Sequence, residues 1–195
     1  MGWKLNIRPI QFEGLLDNLM GYYAVFIDMV CENGVEVLDF GMSDDSMSAY
    51  RIRTAMQAEN LDLIFCDMVT YATSSSFAPI IQGLGVSIVL VAAQPMPAMD
   101  YTKASTFMQL ENDNICSVPE CTSVAARMGK KVNNVIIGTL YGDERVREEI
   151  REWCDIARVL HDLRGARIGL MGHVLEAMYD MHADRGAVRR EGVLS

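Results

Sequence analysis

Val86-Ser87-Ile88-Val89-Leu90-Val91-Ala92 is apolar at almost every position, with no alternation of polar and apolar side chains. A run this short and this rich in β-branched residues predicts a strand buried on both faces, the environment of a central strand in a parallel sheet. Shorter relatives of the same pattern lie on either side. Leu61–Cys66 precedes it, Val135–Gly138 follows it, Val35–Phe40 is the first clear strand, and Ala166–Met171 is the last. Leu5–Ile10 is a further candidate, confined by Pro9 to an edge or an end. Amphipathic stretches fill the gaps. Leu15–Glu32 carries its apolar side chains at helical spacing and stops before Gly34, and Ser43-Asp44-Asp45-Ser46 can cap a helix running to Ala58. The stretch 144–164 repeats Val146, Ile150, Trp153, Ala157, Leu160 and Leu163 at a 3.6-residue period. Its wet face pairs Glu148 with Arg151 and Asp155 with Arg158, Asp143 can cap its start, and Gly165 follows its end. Strands alternating with helices in this way predict an α/β fold with a doubly wound parallel sheet.

Composition narrows the function classes. Half of the 195 residues are apolar and 22% are charged, which fits a packed core. A net charge of −9 supplies no basic stripe, so no nucleic-acid partner is expected. Arg185, Arg189 and Arg190 read as a solvated tail. The longest apolar run, Val86–Ala93, is too short to span a bilayer, and no membrane association is expected. MGWKLNIRPI has no apolar signal core, and the five cysteines show no CxxC spacing. Both observations favour the cytoplasm with reduced thiols.

Dinucleotide, P-loop, hydrolase-elbow and zinc-protease motifs are all missing; Gly83-Leu84-Gly85 precedes a strand and is a turn. His161 falls on a helix and reads as a surface residue. His173, Asp180, His182 and Asp184 cluster after the last strand, but their spacing matches no ligand signature. They are polar residues of a loop and a helix start, and no metal site is assigned.

Two places could carry binding. Thr70-Tyr71-Ala72-Thr73-Ser74-Ser75-Ser76 follows a strand directly and holds more hydroxyls than one helix cap needs, a pattern suited to a polyol or an anion. The proline-rich and polar stretch 94–117 follows the best strand, where ligands of open α/β sheets bind. Gln94, at the strand's end, either contacts a sugar hydroxyl or bonds the loop backbone. Glu120, at a helix start, is either a dipole-stabilised carboxylate or part of the site.

The segments Tyr71-Ala-Thr-Ser-Ser75, Gln94-Pro-Met-Pro-Ala-Met-Asp-Tyr101, Val118-Pro-Glu120 and the strand leading to Gly172-His173 together resemble the L-fucose/L-arabinose isomerase-like family, over about residues 11–184. The resemblance implies a flavodoxin-like three-layer sandwich over residues 1–164 and the truncated start of a second α/β domain over 165–195. It implies an aldose–ketose isomerase that uses Mn2+, whose metal ligands and proton-transferring carboxylates sit in later domains. No catalytic or metal residue and no cofactor is therefore expected in this chain. Gln94 carries over as a sugar-contacting amide, Tyr71, Thr73 and Glu120 as parts of loops facing the site, and Gln11 as part of the loop after the first strand. The expected partners are a small sugar or polyol and either further copies of the chain, as a homo-oligomer, or the missing isomerase domains. The leading reading is a sugar-recognition domain, inactive alone. Alternatives are a non-catalytic small-ligand or protein-interaction module, and an enzyme completed by a second chain.

Overall fold

The computed structural model describes residues 12–167. Among the described residues, three parallel strands form one sheet in the order β1 (Leu63–Asp67), β2 (Ser87–Gln94), β3 (Asn134–Thr139). The helices are α1 (Leu15–Cys31), α2 (Ser46–Gln57), α3 (Ser74–Ile81), α4 (Thr106–Glu111), α5 (Ser117–Arg127) and α6 (Glu144–Gly165). The chain divides into two compact units, Met1–Cys154 and Asp155–Ser195. Of the second unit, the described part is the C-terminal half of α6 and residues 166–167.

Strand β2 sits in the middle because it alone can. Ile88 through Ala93 are buried without a break, so each peptide group needs a partner inside the protein. Strand β1 supplies partners in the register Cys66 to Leu90, and β3 in the register Val91 to Ile136. Alternate side chains then feed two cores. Ile64, Cys66, Ile88, Leu90 and Ala92 meet α2, α3 and α5 on one face. Val89, Val91, Ala93 and Ile136 meet Phe26, Met29 and Val30 of α1 and Val146, Ile150 and Cys154 of α6 on the other. Helices on both faces of a parallel sheet make the doubly wound α/β sandwich that the strand pattern predicts.

Local signals agree where side chains close the element. Asp45 caps α2 through Ser48 N at 2.7 Å, and Ser48 Oγ returns the bond from Asp45 N at 3.1 Å, a reciprocal capping box. Asp143 accepts from the amides of Arg145 and Val146 at the start of α6. The expected pairs Glu148–Arg151 and Asp155–Arg158 form on its exposed face. Asp143 and Arg145 also seal the outer edge of β3: Thr139 N donates to Asp143 Oδ2 at 3.1 Å, and the Arg145 guanidinium donates to the Ile137 carbonyl. A covered edge presents fewer free peptide groups to a stray strand.

Three expectations are corrected. Val35–Phe40 joins no ladder among the described residues. Its alternation is real, with Val35 and Val37 packed on one core and Phe40 on the other. Alternation reports which side chains face inward and says nothing of a neighbouring backbone. The segment then ends in a local turn, where Asp39 Oδ1 accepts from Gly41 N at 2.7 Å and Gly41 takes φ 75°. Second, the 94–117 stretch is not all loop, because Ser105 caps the short helix α4. Third, Leu163, expected on the apolar side of its helix, is 40% exposed, and Cys154 takes the buried position. The candidate strand Leu5–Ile10, and the candidate strand Ala166–Met171 from residue 168 onward, lie outside the described residues. Among the described residues, no helix is long and apolar enough to cross a membrane.

The layering predicts a contrast in stability. Leu90→Ala, in the fully buried strand, should lower unfolding free energy by about 2–5 kcal/mol. Leu38→Ala, at a half-exposed position outside the sheet, should stay within about 0.5 kcal/mol of wild type in the same urea titration.

Candidate functional site

All three strands end on the same side of the sheet, at Asp67, Gln94 and Thr139. The chain leaving β1 stays buried through Met68, Val69 and Thr70 before it turns into α3. Hydrogen bonds to the 94–117 segment hold that turn down. Thr70 Oγ1 donates to Leu110 O at 2.6 Å, Asn114 Nδ2 donates to Val69 O at 3.1 Å and Ala93 O at 3.4 Å, and Ala72 N donates to Ser117 Oγ at 2.6 Å. Below them, Val69 packs with Leu15, Leu19 and Tyr23 of α1 and with Phe107 and Leu110 of α4.

Tyr71, Ser74 and Glu120 come together at the head of α3. Ser74 N donates to Glu120 Oε1 at 2.7 Å. Bonds from Ser74 and then Tyr71 hold the Glu120 carboxyl below the ordinary glutamate range. Glu120 thus serves α3 in addition to opening its own helix, α5. Thr73 and Ser75 are exposed, with their hydroxyls 2.8 Å apart.

Gln94 is placed differently. Its Nε2 donates to Asn112 O at 2.6 Å, and Asn112 Oδ1 accepts from Met96 N at 3.0 Å. The amide therefore bonds the loop backbone, the second of its two expected roles. No hydrogen bond among the described residues joins it to Tyr71, Thr73 or Glu120. Gln11 lies outside the described residues, as do His173, Asp180, His182 and Asp184. The described residues contain no group of three His, Cys, Asp or Glu able to hold a metal ion. They do not fit a manganese centre, and no chemical step is assigned to one.

The structure adds polar groups that spacing did not reveal. Asp67 closes β1 at 5% exposure, and burial pushes its carboxyl up to about 7. Beside it, the Tyr23 hydroxyl donates to the Asp39 carboxylate; burial and that bond raise the phenol far above its usual range. Glu111, also buried, accepts from Asn18 Nδ2 at 2.6 Å and Tyr22 Oη at 3.0 Å. Burial and Glu111 push the Tyr22 phenol up to about 12. None of these was legible as a site, because each pairs residues far apart in the chain. Asp67 alone left a trace, as the carboxylate that ends an apolar strand.

Two recesses are lined by other residues. One, of about 470 Å³, opens beside the amino end of β3 and is lined by Lys130, Lys131, Val132 and Asn134 among others. Lys130 Nζ is committed to Leu84 O at 2.7 Å. The other, of about 140 Å³, lies between α1 and α6 and is lined by Glu32, Arg147, Glu148 and Arg151, which pair as Glu32–Arg147 and Glu148–Arg151. Cys66 and Cys121 are pushed up to about 12 by burial, and a bond to Asp113 together with burial pushes Cys116 up to about 11. At neutral pH these three thiols are protonated and poor nucleophiles.

Neither protein-family models nor curated proteins yield a match to the chain.

Asp67 supplies a test of this electrostatic picture. Its native carboxyl holds a proton that the unfolded chain releases near pH 4, so its stability cost grows as pH rises from about 4 to about 7 and is constant above. Asp67→Asn should raise stability at pH 7.5 by on the order of 1–3 kcal/mol and leave it unchanged at pH 3.5. Chemical denaturation at the two pH values measures the difference.

Proposed function

We propose that this chain is the sugar-recognition domain of an aldose–ketose isomerase of the L-arabinose/L-fucose type, and that it performs no isomerisation by itself. The observation that carries the reading is the grouping of Tyr71, Ser74 and Glu120 beside the exposed hydroxyls of Thr73 and Ser75, at the carboxyl end of a parallel sheet. Ligands of open α/β sheets gather at that end. A neutral polyol suits the donors and acceptors gathered there, since each of its hydroxyls both gives and accepts a hydrogen bond. Glu120 disfavours an anion, because its own charge occupies the start of α3.

The fastening of the 94–117 segment suits recognition as well. Gln94 Nε2, Asn112 Oδ1 and Asn114 Nδ2 each bond the backbone of that segment or of the strand ends. Less ordering is then left for a ligand to bring about. Proton transfer between adjacent sugar carbons needs a positioned acid–base group, and in the resembled family manganese stabilises the charge that develops. Those parts belong to domains other than this one. On this reading the protein is cytoplasmic, with its five cysteines reduced.

Calorimetry with L-arabinose, L-fucose and L-arabinitol tests the reading. At least one should bind with a Kd of about 1 mM, weakened roughly two- to tenfold by Thr73→Ala through loss of one hydrogen bond. With added manganese the purified chain should not interconvert these aldoses and their ketoses. Silence toward all three ligands would overturn the recognition reading, and robust manganese-dependent turnover would replace it with a complete enzyme.

A further inference from the structure

We propose that Glu120 is a positioning residue: it caps α3 from another helix and thereby releases the Thr73 and Ser75 hydroxyls toward solvent and ligand. The ligand clause rests on the recognition reading above; the capping clause stands on geometry alone.

A helix begins with amides that have no partner inside the helix. A threonine at the N-cap ordinarily turns its hydroxyl back onto the second or third of them. Thr73 has the backbone of such a cap, φ −79° and ψ 154°, yet its side chain makes no capping bond. Its Oγ1 instead lies 2.8 Å from Ser75 Oγ, and both residues are exposed. Ser74 N is satisfied by Glu120 Oε1 at 2.7 Å, from a residue 46 positions later in the chain. Helices α2 and α4 do the ordinary thing, capped by their own Asp45 and Ser105. In α3 the local capping group is present and is not used.

The rest of the turn is fixed without Thr73 Oγ1. Ser76 N and Ser76 Oγ both donate to Thr73 O, at 3.1 and 2.8 Å, and Ser43 Oγ donates to Ser76 O at 2.9 Å. Ala72 N is held by Ser117, from the first turn of the same helix as Glu120. Helix α5 therefore clamps both sides of Thr73. What remains is an exposed pair of hydroxyls on a held backbone, spaced as neighbouring hydroxyls of a sugar are. Glu120 meets the demand of the helix start and leaves that pair, bonded to each other, out of the cap.

A double-mutant cycle in urea on the full chain tests the capping clause. Thr73→Ala should leave the midpoint of wild type unchanged. Glu120→Ala should lower it, and in that background Thr73→Ala should lower it further, because Thr73 then takes over the cap. Equal effects of Thr73→Ala in both backgrounds would overturn the proposal. If Glu120→Ala does not fold, the Ser74 amide signal decides. In wild type it should shift with pH below the ordinary glutamate range, and in Glu120→Gln it should be flat. A Ser74 signal that ignores pH in wild type would overturn the proposal.

L-arabinitol then separates the two clauses. Glu120→Gln, which keeps an acceptor for Ser74, should bind within about twofold of wild type, whereas Glu120→Ala should bind as weakly as Thr73→Ala. Loss of binding in Glu120→Gln with an otherwise native amide spectrum would make Glu120 a direct ligand contact and overturn the positioning role. Binding to none of the proteins, wild type included, would overturn the ligand clause and the recognition reading while the urea cycle still upholds the cap.

Discussion

The described residues from 12 to 154 are arranged around the backbone of β2. From Ile88 to Ala93 both faces are covered by side chains, so its peptide groups have no access to water. An unbonded buried peptide group costs more than a typical net hydrogen bond contributes. Parallel neighbours on both sides are the remedy, and parallel neighbours require long crossovers. The crossovers are α3 and α5, which cover one face, while α1 and α6 cover the other. The sandwich follows from one strand that water cannot reach.

The same arrangement decides where polar chemistry gathers. Parallel strands end together, so Asp67, Gln94 and Thr139 share one side of the sheet with the loops that leave it. Those loops start from buried backbone and need internal partners at once. Asn114, Thr70 and Ser117 supply them and in doing so fasten the segment 94–117 to the turn before α3. Asp67 is buried at the same place, where its charge is costly. Structural fastening and candidate recognition therefore use neighbouring residues, and Glu120 is where the two meet.

Much of this was legible in the sequence, and the gaps have physical causes. The three paired strands, and helices α1, α2 and α6, follow from apolar period and capping residues, which are local signals. Val35–Phe40 misled because alternation shows burial of side chains without showing a ladder partner. Leu163 misled because the apolar stripe of α6 continues past Cys154, the last buried residue of that helix among the described residues. The site was legible in kind but not in wiring. Tyr71, Thr73 and Glu120 stood out as polar residues at element ends, and Gln94 allowed two roles. The bond from Ser74 to Glu120 spans 46 positions, and the contacts of Glu111 span about twice that. Separations of that size leave no periodic trace.

Recognition of a neutral polyol at the head of α3, as proposed above, is open to direct measurement. The most direct measurement is an amide-shift map of the isotope-labelled chain titrated with L-arabinitol. The largest shifts should fall on Tyr71 through Ser75 and on Glu120, and they should saturate together. Shifts centred instead on Lys130 through Val135, at the opposite end of the sheet, would contradict it.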